Sequence, residues 1–276
     1  MKRAAVLGSP IAHSLSPVLH TAGYEAVGLE GDWRYDRFEV DEESLPGFLK
    51  GLGDPHEGWR GLSLTMPLKR AVIPLLDEVS PTALSVDAVN TVVLHKDGRR
   101  TGDNTDVPGL VNALAERGAT SVEGAAVLGG GATAASTLAA LSRVCRGEVR
   151  AYVRSAERAA EVRGIGERLG VDIRPVDWAR AAEAFELPLV VNTTPAGAAD
   201  ELASRLPSRP GTLFDVLYHP WPTALAAAWA ERGGAVLGGL DLLVHQAVLQ
   251  FEQFTGVRPA PLAAMRDAGE RALAAR

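Results

Sequence analysis

The chain carries a single cysteine, Cys145, so no disulfide can close within it and no cysteine cluster exists to hold zinc. Helix packing is the expected role of that residue. A block of lysine and arginine is also missing. With 28 basic against 34 acidic residues and a net charge of −6, no stripe is available to track phosphates, which excludes a nucleic-acid partner. Long apolar runs are absent too: the longest are strand-sized, so no membrane span is expected. The opening "MKRAAVLGSP" imitates an export signal for seven residues before Gly8, Ser9 and Pro10 interrupt it, and it reads instead as the first strand of a cytoplasmic protein. No internal repeat or low-complexity linker is visible.

What is present is an ordinary globular composition, 46% hydrophobic and 22% charged, in 276 residues, a length suited to about two domains. Strand and helix alternate through "RAAVLG", "HSLSPVLHTAGYEAVG", "WRYDRFEV", "ESLPGFLKGL" and "RGLSLTMP", which implies a mostly parallel sheet with helices on its faces. "NTVVLHKDGRRTG" interrupts with a hairpin signal at Asp97 and Gly98. After Thr105 the alternation resumes and supplies six strands, the number in a doubly wound dinucleotide-binding sheet. The segment "LDLLVHQAVLQFEQFTG" sets Leu243, Ala247, Phe251 and Phe254 at helical spacing. An Ala-rich helix from Arg258 to Arg276 closes the chain.

Candidate chemistry begins with "AAVLGGGATA". Gly129, Gly131 and Ala134 form a glycine-rich turn between an apolar strand and a helix, where backbone N–H groups can meet a pyrophosphate. The next strand ends in "VRSAER". An acid there would hold the ribose of NAD, whereas an arginine accepts the extra phosphate of NADP. Arg154 and Arg158 stand one helical turn apart with Ser155 between them, spaced to converge on one phosphate. "VVNTTPAG" ends a strand at the sheet's carboxyl edge.

Outside this sheet, Ser14 and Ser16 sit at a helix start beside Pro17. Plain N-capping accounts for one serine, not both. Asn90 stands at a strand entrance, and Asp106 either caps the helix containing Pro108 or serves chemistry. Lys69, in "SLTMPLK", lies in the first turn of a helix, where unpaired N–H groups disfavour a cation. A partner and a task would explain it.

The ordered set "SPIAHSLSP", "LTMPLK", "AVNTV", "GDNTD", "LGGGATA", "NTTPAG", "DVLYHPWPT" and "GGLDLLVHQA" resembles the shikimate dehydrogenase family over nearly the whole chain. The resemblance implies an α/β protein of two domains. A discontinuous substrate domain, residues 1–104 plus 240–276, would clamp against a Rossmann-type NADP-binding domain, residues 105–239, around an active-site cleft. It implies NADPH-dependent reduction of 3-dehydroshikimate to shikimate, in a monomer or homodimer that acts on a small molecule and binds no metal. Lys69 and Asp106 are implied as the catalytic pair. Ser14 and Ser16 would take the substrate carboxylate, with Tyr218 near it, and Thr65, Asn90, Asp106 and Gln246 its hydroxyls. Gly129, Gly131, Ala132, Arg154, Ser155, Arg158, Thr193 and Gly239 would hold the cofactor. The sequence departs from the family at Val153 and Ser155, where Asn and Thr are common, and at Thr133 and Ala135 in the glycine loop. Two alternatives remain open: a quinate/shikimate dehydrogenase using NAD, and a catalytically silent NADPH-binding regulator.

Overall fold

A computed structural model describes residues 1–53 and 57–276. The chain divides into two compact units, Met1–Gly109 with Leu243–Arg276, and Leu110–Leu242. These divisions fall a few residues beyond the expected 104/105 and 239/240. The displacement has a local cause: Asp106 and Thr105 are bound to Asn90 of the first unit, and Gly109 lies against the backbone of Gln246.

In the first unit, the strands are β1 (Lys2–Gly8), β2 (Trp33–Glu39), β3 (Trp59–Leu64), β4 (Glu78–Val79), β5 (Thr91–Leu94) and β6 (Arg100–Asp103). They form one sheet in the order β2-β1-β3-β5-β6-β4. Strand β1 runs parallel to β2 and β3, while β5 runs antiparallel to β3 and β6. The helices are α1 (Ser16–Ala26), α2 (Leu45–Lys50), α3 (Leu68–Ala71) and α4 (Pro81–Val86). From the far end of the chain come α9 (Gly239–Thr255), whose residues from Leu243 onward belong here, and α10 (Leu262–Ala274). Helix α3 has only four residues and continues into a 3₁₀ turn, Ile73–Leu75. It is too short to carry much of a dipole, so the electrostatic objection to Lys69 loses most of its force.

The second unit places β7 (Val122–Leu128), β8 (Cys145–Val153), β9 (Ile173–Asp177), β10 (Leu189–Asn192), β11 (Thr212–Asp215) and β12 (Ala235–Leu237) in the order β12-β11-β10-β7-β8-β9. All five pairings are parallel. This is the 3-2-1-4-5-6 order of the doubly wound dinucleotide fold. Helices α5 (Asp106–Glu116), whose residues from Leu110 onward belong here, α6 (Ala132–Val144), α7 (Ala156–Leu169) and α8 (Ala224–Glu231) accompany it. A core of Tyr152, Val190, Leu213, Leu225 and Trp229 packs on one side of the sheet. Cys145 is the first residue of β8, not a helix-packing residue, and its Sγ faces the carbonyls of Gly147 and Glu148. Burial pushes the thiol pKa up, which favours the protonated form over the nucleophilic thiolate.

Aromatic packing fastens α9 to the first unit's sheet. A Cβ on Gly61, in β3, would overlap the Phe254 ring, so only glycine admits α9 this close. His20 lies inside the same cluster, fully buried. It stacks on Tyr35 at 4.0 Å and 11° and lies near Tyr24, Phe251 and Phe254. Neither ring nitrogen has a hydrogen-bond partner. The pKa of His20 is lowered to about 3 by burial, with the nearby Gln250 amide acting the other way. Because the folded value lies below the ordinary 6.5, the unfolded chain binds the extra proton between those values, and stability falls as pH drops through that window. The expected contribution is about 2 kcal/mol lost between pH 6.5 and pH 5. Urea unfolding of the wild type and His20→Leu at pH 7 and pH 5 checks this: the variant should lose less stability on acidification, and equal losses would remove the assignment.

Candidate active site

The topology of the first sheet gathers its polar residues. Because β1 and β3 are parallel and β5 is antiparallel to both β3 and β6, four points of the chain meet at one sheet edge: the ends of β1, β3 and β6, and the start of β5. Ser14 and Ser16 follow β1, Thr65 and Lys69 follow β3, Asn90 precedes β5, and Asp106 follows β6. The backbone seals this corner. Leu64 N–H donates to Asn90 O (2.8 Å), Val89 N–H to Lys69 O (2.8 Å), Asn90 N–H to Asp103 O (3.1 Å) and Thr65 N–H to Leu7 O (3.0 Å).

At the centre, Lys69 Nζ donates to Asp106 Oδ2 at 2.6 Å, with side-chain exposures of 14% and 10%. Asn90 Nδ2 donates to the other carboxylate oxygen, Asp106 Oδ1, at 2.8 Å, and lies 3.5 Å from Gln246 Oε1. Gln246 comes from α9, and its Nε2 donates to Leu243 O. Four of the sequence-derived candidates thus share one polar cluster. Asp106 does not cap α5; Asn104 does, accepting from Val107 N–H at 3.0 Å. Capping is therefore separated from Asp106, which is free to face the lysine.

Ser14 and Ser16 are both buried. The expected serine cap on α1 is absent: the cap position is Leu15 without a side-chain bond, and Ser14 Oγ instead accepts from Ser16 N–H at 3.3 Å. This frees the Ser16 hydroxyl from capping and leaves it beside Tyr35, whose phenol pKa is raised by burial against hydrogen bonds with Ser63 and Ser16. His245 lies buried with Arg266 Nη2 at 3.4 Å, in keeping with a packing role, and His13 is exposed.

In the second unit, the β7–α6 turn is built for close approach. Gly129 holds φ +113°, and a Cβ there would lie 2.6 Å from Thr193 Oγ1. The Thr193 hydroxyl and N–H both donate to Leu128 O, at 2.8 and 2.9 Å, so Thr193 clamps the turn. Gly130, which sequence reasoning passed over, is the glycine pressed against Val153 and the Arg158 stem, whereas a Cβ on Gly131 would meet open space. Ala132 opens α6 with Gly131 at its cap.

Arg154 lies over the Trp178 ring at 4.9 Å and donates from Nη2 to Ala198 O at 3.2 Å. Arg158 pairs with Glu161 at 2.6 Å. Each guanidinium has its own protein partner, so the two expected to converge on one phosphate are separately held. Ser155 caps α7, accepting from Arg158 N–H at 3.2 Å, which leaves its O–H free to donate. Gly239 opens α9 against the backbone of Val216 and Leu217.

Tyr218 follows β11 in a loop anchored by Asp215. That buried carboxylate accepts from Asn192 Nδ2 (3.1 Å), Thr223 Oγ1 (2.7 Å) and Leu217 N–H (3.2 Å). Burial raises its pKa, opposed by those three donors. Asp215 and Asn192 lie within the quoted "DVLYHPWPT" and "NTTPAG" segments, yet nothing in a linear sequence pairs them. Asp241, given no role from sequence, accepts from Gly238 N–H and pairs with Arg117.

Among the described residues no cluster of three or more His, Cys, Asp or Glu is arranged to hold a metal ion, and no helix is long and apolar enough to cross a membrane.

Residues 6–92 match the family model "Shikimate dehydrogenase substrate binding domain", and residues 239–268 match "Shikimate 5'-dehydrogenase C-terminal domain". The chain is 40% identical over 277 aligned positions to a shikimate dehydrogenase (NADP(+)) of Thermus thermophilus, covering 99% of each. Among solved structures, Mycobacterium tuberculosis shikimate dehydrogenase superposes with a TM-score of 0.87 at 40% identity, over 100% of this chain and 99% of that one. The Thermus thermophilus enzyme in complex with NADP(H) and shikimate gives 0.85 at 35% identity, over 99% and 100%.

Proposed function

The chain belongs to the shikimate dehydrogenase family, and we propose from that premise that it catalyses the reversible NADPH-dependent reduction of 3-dehydroshikimate to shikimate, a step in the biosynthesis of chorismate and the aromatic amino acids. The observation that carries the reading is the Lys69–Asp106 pair at 2.6 Å, backed by Asn90, in a chain that matches its relatives end to end. The first unit is the substrate domain and the second the NADP-binding domain.

The cofactor fits the residues present. The glycine turn at the start of α6 offers N–H groups and room beside Gly131. Strand β8 is followed by Arg154 instead of an acid, which suits the 2′-phosphate of NADP rather than the bare ribose of NAD. Trp178 supports that arginine from one face. Gly129, Gly131, Ala132, Ser155, Arg158, Thr193 and Gly239 complete the assigned set.

When bound, NADPH supplies the hydride to the ketone carbon. Ser14 and Ser16 hold the substrate carboxylate; Thr65, Asn90, Asp106 and Gln246 orient its hydroxyls. As negative charge grows on the ketone oxygen, the Lys69 ammonium stabilises it and gives up one proton to it, completing the alcohol. Asp106 holds the amine in position by accepting from it, and the pair is restored by a proton from solvent. In the reverse direction the neutral amine takes the proton from the shikimate hydroxyl.

Two outcomes are expected. Lys69→Ala should lower kcat by on the order of 10²–10⁴ while changing shikimate affinity far less, as measured by NADPH absorbance and by ligand titration; near-normal turnover would refute the assignment. Arg154→Ala should raise KM for NADPH by about 10-fold or more, the worth of a charge-assisted hydrogen bond, and leave KM for NADH nearly unchanged. An equal effect on both cofactors would remove Arg154 from phosphate recognition.

A further inference from the structure

Helix α9 sends a second glutamine, Gln250, into the first unit's interior, where it is 1% exposed. A buried amide costs free energy unless all its groups are bonded, and an apolar residue on that face of the helix would be cheaper. Gln250 is fully engaged. Its Nε2 donates to Asn90 O at 3.0 Å and to Thr91 Oγ1 at 3.0 Å, and its Oε1 accepts from Ser63 Oγ at 2.8 Å. Ser63 Oγ in turn accepts from the Tyr35 hydroxyl at 2.6 Å.

This chain has a direction. Asn90 O can only accept, so the Gln250 amide turns its NH₂ toward Asn90 O and Thr91, leaving Oε1 to accept the proton of Ser63, which itself accepts from Tyr35. Thr91 Oγ1, accepting from that NH₂, turns its proton to Asn90 Oδ1 at 2.8 Å. Thr105 N–H donates to the same oxygen at 2.8 Å, and the Thr105 hydroxyl lies 3.1 Å from both Asn90 Oδ1 and Thr91 Oγ1. Asn90 Oδ1 is therefore saturated with donors. Only one orientation of the Asn90 amide survives, the one that aims Nδ2 at Asp106 Oδ1. The flipped amide would set NH₂ against N–H on one side and carbonyl against carboxylate on the other.

We propose that Gln250 and Thr91 are positioning residues: together with the Thr105 N–H they hold the Asn90 amide in its donating orientation and geometry and so keep the Asp106 carboxylate in register with Lys69. Neither touches substrate or Lys69; they act through Asn90. The inference rests on the reading of Lys69 and Asp106 as the catalytic pair.

The test uses the full-length enzyme and three variants, with kcat and KM measured per folded active site. Thr91→Val keeps the shape and removes the hydroxyl; Gln250→Met removes the amide; Thr91→Ser restores the hydroxyl. The expected result is a kcat about tenfold lower in Thr91→Val and Gln250→Met, with KM for shikimate changed less than kcat, and recovery of kcat in Thr91→Ser. A merely structural role would lower thermal stability and the yield of folded enzyme without moving kcat per folded site. Wild-type kcat in folded Thr91→Val, with Lys69→Ala inactive, overturns this inference alone. Wild-type kcat in Lys69→Ala overturns the catalytic pair and this inference with it. Should Gln250→Met fail to fold, Thr91→Val decides.

Discussion

The ion pair between Lys69 and Asp106 sets the terms for everything around it. Two opposite charges held at 2.6 Å with little exposure pay a desolvation cost that their attraction repays only if the remaining lone pairs and protons are also engaged. The protein meets that condition on the carboxylate side with Asn90, whose amide donates to the second oxygen. Asn90 is in turn engaged through its backbone by Leu64 N–H and its own donation to Asp103 O, and through its side chain by Thr91 and Thr105. The corner of the sheet is thus densely hydrogen-bonded around the buried charge, and those bonds are what allow the charge to remain buried.

Sheet topology makes this economical. One antiparallel hairpin, β5–β6, inserted beside parallel strands, brings the ends of β3 and β6 to the start of β5. A purely parallel arrangement would send the start of β5 to the opposite edge, away from Lys69. Helix α9 then caps the corner, its approach made possible by Gly61 and its inner face supplying Gln246 and Gln250. The two units apply the same physics differently: the first orders side-chain donors around a carboxylate, while the second leaves backbone N–H groups at the glycine turn and stacks Arg154 on an indole.

Much of this was legible in the chain. The alternation of strands and helices, the hairpin at Asp97–Gly98, the six-stranded second sheet and the position of α9 all follow from periodicity and turn residues, which are local properties. Lys69, Asn90 and Asp106 stand out as polar residues at element boundaries, although Asp106 also has a local alternative as a helix cap. The structure departs from expectation at three local points. A serine cap on α1 was expected, and the backbone closed that helix without one. Helix α3 was expected to be long enough to matter electrostatically, and it ends after one turn. Cys145 was placed in a helix that stops one residue earlier.

By itself the sequence determined which elements form, because hydrophobic period and turn chemistry act over a few residues, and it determined the chemical inventory of the site. Which of those groups meet was decided by tertiary structure alone. Asn90 and Gln250 are 160 residues apart, Asp215 finds Asn192 across neighbouring strands, and the pKa of His20 is lowered by its burial in the packed interior. Burial and partnership are properties of packed neighbours, and no linear pattern carries them.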